Sequence, residues 1–241
     1  MTTSAQMTRL TIALVAASLT TITASKSNAA IVTIDNSGSW INGANTLENQ
    51  GFNLIQVPNG NEGLGSDLST LSSPLGNIEF SPSVNKRQVG NPEPEKRWRT
   101  WSNNYQGEVY FTNGALTLDL KLPNLVAFDF YAQPDTFFLE PQFQRPYRIS
   151  AIAQSGETSD VLSQLVNGNS GAQYFGFYSD DPLDPIQSIQ ITSEQGSGGF
   201  AIGQLRGASA TATVPTPLLL PGIIGLGLGL WRKARSQNQQ N

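Results

Sequence analysis

The 241-residue sequence predicts an all-β protein, a single β-sandwich or jelly-roll-like domain, and three observations carry that expectation. Apolar and polar residues alternate with a period of two in one segment after another. Short candidate strands are separated by clusters of Gly, Asn, Asp, Ser and Pro. Outside the two chain ends, no segment sustains a helical period.

The clearest strand is Leu116-Thr-Leu-Asp-Leu-Lys-Leu122, with leucines on one face and Thr117, Asp119 and Lys121 on the other. Residues 126–132 alternate similarly, with Val126, Phe128 and Phe130 expected inward. Residues 147–153 place Tyr147, Ile149, Ala151 and Ala153 on one face, and residues 174–178 bury Phe175 and Phe177 or their neighbours. Residues 186–192 and 199–203 complete the series, bounded by turn-rich stretches at 179–185 and 193–198. Arg145 and Pro146 interrupt what would otherwise read as one long strand. Earlier candidates lie at 31–34, 52–57, 78–80 and 109–112, while 43–75, with many Asn, Ser and Gly, reads as loops or a weakly ordered lobe. The domain therefore divides into a loop-rich half, 31–114, and a regular half, 115–213.

Composition narrows the chemistry. The chain has no Cys and no His, which removes Ser-His-Asp and Cys-His nucleophilic systems and the usual transition-metal ligand sets. It also removes disulfides, so the fold must rest on its core. Five of the 14 basic residues lie near the ends, leaving nine against all 18 acidic ones, a net charge of −9 for residues 30–213. That balance argues against nucleic acid or an anionic lipid surface as a partner.

Both ends read as targeting segments. Arg9 precedes an apolar, Thr-rich stretch at 10–24 that suits the core of a signal peptide, and Ser27-Asn28-Ala29 places cleavage after Ala29, with Ala30 as the runner-up. At the other end Val214-Pro215-Thr216-Pro217 leads into the uncharged run 218–231, with Pro221 and Gly222 inside it, followed by Arg232, Lys233 and Arg235. Those fourteen residues cover roughly 21 Å as a helix, shorter than the ~30 Å hydrocarbon core. Basic residues directly after the run fix it with that end cytoplasmic. Prolines 215, 217 and 221 keep the preceding segment extended and accessible.

This tail resembles the C-terminal sorting signals of the PEP-CTERM type, and Pro215-Thr216-Pro217 before Leu-Leu-Leu-Pro-Gly looks like the PTPA-CTERM variant, with Leu218 in the place of the motif's Ala. The resemblance implies export through the translocon and processing near the motif by an exosortase-like membrane protease. The chain would touch the inner membrane transiently through the short helix, then reach the cell surface or medium. A literal Pro92-Glu93-Pro94 has no apolar segment after it and reads as coincidence. A second resemblance covers about 80 residues. Leu125-Val-Ala-Phe-Asp-Phe130, Tyr174-Phe-Gly-Phe-Tyr-Ser-Asp-Asp-Pro182, residues 186–192 and Gly199-Phe-Ala-Ile202 are similar to the C-terminal half of β-sandwiches found in PEP-CTERM proteins. Leu183 stands where that pattern has Phe, and Gly203 where it has Asp.

Three constellations are candidates for function. Trp98, Trp101 and Tyr105, with Arg97 and Arg99, match a sugar-stacking platform for extracellular polysaccharide, because ring faces cover the apolar side of a pyranose while polar neighbours bond its hydroxyls. The alternative is that the two tryptophans close one end of the core. Asp180, Asp181 and Asp184 lie in a Pro-bounded loop where carboxylate oxygens suit Ca²⁺, or serve as plain turn residues. A glycosidase or lyase needs only two suitably spaced carboxylates, but no pair is marked, and Asp119 and Asp129 read as solvated strand residues. The expectation is thus an exported, non-catalytic surface or matrix protein, with a carbohydrate-binding module as its main rival.

Overall fold

The computed structural model describes residues 30–34, 46–137, 139–140, 144–156 and 158–210. The signal peptide with its cleavage at Ala29, the sorting motif, the apolar helix and the basic stop lie outside the described residues. Twelve strands form: β1 Ile31–Ile34, β2 Ile55–Gln56, β3 Asp67–Ser73, β4 Gly76–Val89, β5 Arg97–Trp98, β6 Glu108–Phe111, β7 Thr117–Pro134, β8 Tyr147–Gln154, β9 Leu162–Val166, β10 Gln173–Ser179, β11 Ile186–Ser193 and β12 Phe200–Ser209. The all-β expectation holds. Among the described residues the sheet pairings are antiparallel apart from β4 with β5, and no helix is long and apolar enough to cross a membrane.

The long strand β7 organises the sheet, because its two halves have different neighbours. Residues 117–121 lie between β11 and β4, whereas residues 125–134 lie between β10 and β12. The change falls at Pro123-Asn124. Proline supplies no N–H to a ladder, and Asn124 adopts the left-handed φ of 55° that Asn tolerates better than most side chains. The register with β11 slips at the same place. Strand β4 is shared in a similar way: residues 79–81 pair with β7 and residues 85–88 with β6, while β3 pairs along it from Gly76 to Asn85.

One layer therefore holds β3, β11, β8 and β9 with the first halves of β4 and β7. The other holds β1, β10, β12 and β6 with the second halves. Leu118, Leu120, Phe128, Phe130, Ile149, Phe175, Ile189 and Ile202 belong to one continuous buried core between them. Within it the Phe130 and Phe175 rings stack at 5.3 Å. The alternation of 117–122 and of 147–153 is reproduced residue by residue, with Thr117, Asp119 and Lys121 exposed.

The second layer is buried on both faces, which alternation alone does not reveal. Its outer face carries Val109, Phe111, Val126, Tyr131, Tyr174 and Ala201, and a second apolar cluster adds Ile34, Leu47, Phe52, Trp98 and Trp101. Strand β7 consequently has no exposed residue from Leu125 to Pro134. The segment 43–75, read as loops or a weakly ordered lobe, is corrected on this point. Its turn at 46–52 buries Leu47 completely, and it contributes β3. Only Ile55 and Gln56 of the 52–57 candidate pair as a strand. Lys86, also buried, fixes the neighbouring loop by donating to the Gly60 and Glu62 carbonyls and by pairing with Glu108 at 2.8 Å.

Candidate functional site

The aromatic constellation is built into the fold rather than displayed on it. Trp98 and Trp101 are 5 % and 8 % exposed. Each indole N–H is satisfied internally: Trp98 Nε1 donates to Gln133 Oε1 and Trp101 Nε1 to Gln204 Oε1, both at 2.9 Å. Gln133 Nε2 donates in turn to Thr100 Oγ1 at 2.8 Å and to the Gly168 carbonyl. Trp98 packs against Phe111 with ring centroids 5.5 Å apart. Tyr105 is half-buried, 6.4 Å from Trp101, with its hydroxyl on the Glu108 carbonyl. An exposed stacking platform of Trp98, Trp101 and Tyr105 is therefore replaced by an aromatic cover over the outer face of the second layer. Gly203, where the sandwich pattern has Asp, lies beneath that cover: a Cβ there would stand 3.0 Å from Val109 and 3.1 Å from Trp101.

Asp129, expected to be solvated, is fully buried. It accepts from Arg206 Nε at 3.0 Å, Arg206 Nη2 at 2.6 Å and the Tyr174 hydroxyl at 3.0 Å. Arg206 also pairs with Glu48, and the Leu47 amide donates to the Tyr174 oxygen at 3.2 Å, tying the 46–52 turn to the sheet. A bulge creates this pairing. Gly203 faces Tyr131 but Arg206 faces Asp129, so β12 carries one extra residue there, at the left-handed Gln204. A regular register would have set Leu205 against Asp129.

Burial pushes the Asp129 carboxyl up to about 6, against the downward pull of the Arg206 and Tyr174 hydrogen bonds. Burial by itself lowers Arg206, yet the bonds and charges of Asp129 and Glu48 outweigh it and its pKa rises. The pair is ionised at neutral pH, and only the carboxyl can shed its charge, because a guanidinium does not titrate in proteins.

The three loop acids do not converge on a cation. Asp180 Oδ1 accepts the Ala30 amide at 2.8 Å, Asp181 Oδ1 accepts the Leu183 amide at 2.8 Å, and Asp184 accepts from Ser155 at 3.2 Å and the Gly156 amide at 3.3 Å. Asp181 makes a local turn bond, whereas Asp180 and Asp184 tie the loop to Ala30 and to residues 155 and 156. Among the described residues no three His, Cys, Asp or Glu gather in a way that could hold a metal ion. On the outer face of the first layer, Asp119 accepts from Gln190 at 2.8 Å and Glu79 pairs with Lys121 at 3.0 Å.

What the fold does assemble is a cationic cleft. Strand alternation turns Trp98 inward and leaves its neighbours Arg97 half-buried and Arg99 exposed. Arg87 joins them from β4, which runs beside β5 in the register Gln88 to Arg97. Arg99 lies 3.4 Å above the Phe137 ring centre and Arg97 5.8 Å from it, while Arg87 covers Phe111 at 4.2 Å. The cleft is shallow, with about 20 Å³ of enclosed space, and is completed by Asp135, Thr136, Gly168 and Asn169. Burial raises the Asp135 carboxyl, partly offset by the Phe137 amide and by Arg87 and Arg99. Among the described residues none of the three arginines has a carboxylate within ion-pair distance. Sequence reasoning named Arg97 and Arg99 as companions of the tryptophans. It missed Arg87, Asp135 and Asn169, which reach the cleft through sheet pairing and a distant loop.

No family model matches the chain, nor does any curated protein or solved structure.

Proposed function

We propose that the protein is an exported, non-catalytic component of the cell surface or extracellular matrix, a jelly-roll-like β-sandwich delivered by its two terminal signals. The observation that carries this reading is the use made of the reactive side chains. The indoles of Trp98 and Trp101, the carboxylate of Asp129 and the loop acids are all engaged in holding the fold. A domain without cysteine that works outside the cell needs such internal ties, since disulfides are not available to it. In this reading the tail at 214–241 is a temporary anchor and a protease handle. The basic residues Arg232, Lys233 and Arg235 set its orientation, and the prolines around Thr216 present an extended backbone for cleavage.

The test is to express the chain in its host with residues 214–241 deleted and to follow its fractionation. The expected result is loss of any membrane-held form, with the domain accumulating in the periplasm or medium. Identical fractionation of full-length and truncated chains would overturn the sorting role of the tail.

A further inference from the structure

The cleft of Arg87, Arg97 and Arg99 stands out because of how its charges are held. The Arg99 guanidinium carbon lies 3.4 Å from the Phe137 ring centre and that of Arg87 4.2 Å from Phe111, so the ring faces hold these cations in place. A ring contact of this kind uses none of the guanidinium's N–H donors, which stay available for hydrogen bonds. Arg87 gives one donor to Asn85 at 3.3 Å, and no hydrogen bond from the Arg97 or Arg99 side chain is made among the described residues. Three such cations around a single carboxylate make a local positive site on a domain whose net charge is −9. Elsewhere the excess acid repels anions, so an anion finds its favourable approach here.

Asp135 selects among anions. A bare phosphate or sulfate placed against the arginines would meet this carboxylate with only repulsion. A ligand that carries hydroxyls beside its anionic group can instead donate to Asp135, with the exposed Asn169 within the same lining. The floor is closely packed: a Cβ on Gly168 would stand 2.4 Å from Thr136 Oγ1 and 2.6 Å from the Pro134 carbonyl, so only glycine lets this loop lie against residues 134–136.

We propose that this cleft binds acidic saccharide units, with the carboxylate or sulfate of the sugar held by Arg97 and Arg99 and its ring hydroxyls directed to Asp135. The inference does not depend on processing of the tail, because every residue in it belongs to the described domain and is assayed on that domain in solution.

The experiment is titration calorimetry of the domain with galacturonate oligomers, dextran sulfate, neutral dextran and sodium sulfate, at about 0.15 M salt, where exposed charges are largely screened. The parent is expected to bind one or both acidic saccharides and to ignore neutral dextran and sodium sulfate. The galacturonate and dextran sulfate arms separate carboxylate from sulfate recognition. Arg97→Gln and Arg99→Gln should each weaken binding about tenfold or more, whereas Lys121→Gln, on the outer face of the other layer, should leave it unchanged. Phenylglyoxal labelling of the parent protein, read by peptide mass, gives a check that needs no variant: saturating saccharide should protect Arg97 and Arg99. Equal binding of neutral dextran, sodium sulfate binding as tight as the saccharides, undiminished binding by both arginine variants, or unprotected arginines would each overturn the proposal.

Discussion

Replacing Asp129 by Leu tests the buried polar network where its energetics are most asymmetric. The change removes the acceptors of two guanidinium bonds, at 3.0 and 2.6 Å, and of the Tyr174 hydroxyl. Arg206 is only 7 % exposed, and Glu48, which also pairs with it, is half-exposed. Each lost charge-assisted bond is worth about 1.5–3 kcal/mol, and breaking one side of a buried pair costs about 3–5 kcal/mol. For a domain of this size that lowers the melting temperature by about 6–20 °C. Arg206→Met behaves differently, because the stranded carboxyl can take up a proton. Without the guanidinium it rises further above its ordinary 3.8. A carboxyl raised in the folded state binds more protons folded than unfolded, so its contribution to stability is present at low pH and is lost as pH climbs through the folded value. Arg206→Met should therefore be milder at about pH 5 than at about pH 8, whereas the Asp129→Leu deficit should shrink over that window, because the parent's own carboxyl, raised to about 6, loses its contribution as it ionises and the Leu variant has none to lose. The double variant, an apolar pair of similar bulk, should recover most of the loss. Urea and thermal denaturation followed by near-ultraviolet circular dichroism read all three. A single-variant loss under about 1 kcal/mol, or a double variant as unstable as the two losses summed, would refute this reasoning.

Other positions give independent checks. Trp98→Ala should cost about 3–5 kcal/mol in urea denaturation, as a buried indole removal does, whereas removal of an exposed platform residue would leave stability unchanged. Gly203→Asp, which restores the residue the sandwich pattern has, should destabilise by about 2 kcal/mol or more, because the carboxylate would enter an apolar contact between Val109 and Trp101. Asp135→Asn should gain stability over the parent at neutral pH, and the gain should vanish on acidification. The parent carboxyl is raised by burial, so its charge works against folding above its folded pKa and not below the unfolded one. A denaturation series across pH with a constant difference between the two proteins would contradict that sign.

Where one face of a strand meets water, the sequence declared it. Leu118, Leu120 and Leu122 against Thr117, Asp119 and Lys121, and the alternation through β8, needed only the period-two pattern. The second layer was harder, because a sheet covered on both sides leaves no polar face to read. Asp129 therefore looked like an ordinary outward residue on an alternating strand. Its surroundings were the available signal: from Leu125 to Ala132 it is the only charged residue, and its same-face neighbour two residues on is Tyr131. Its partner was beyond local reasoning, since the Arg206 register depends on a one-residue bulge at Gln204. Strand β3, Asp67-Leu-Ser-Thr-Leu-Ser-Ser73, escaped because its two leucines are three apart, and its own ladder with β4 slips between Leu68 and Thr70. The cleft was half visible: Arg97 and Arg99 lay beside the tryptophans, but Asp135, Gly168 and Asn169 come together only through the long-range covering of the sheet.

The measurement that tests the central claim most directly is the intact mass, with terminal peptide mapping, of the protein recovered from membranes and from the medium of its host. The account predicts a secreted form that begins after Ala29 and ends near Pro217, with the tail to Asn241 confined to the membrane fraction. A tail retained through Asn241 in every fraction would contradict it, and the protein would then have to be understood as a permanently anchored component of the envelope.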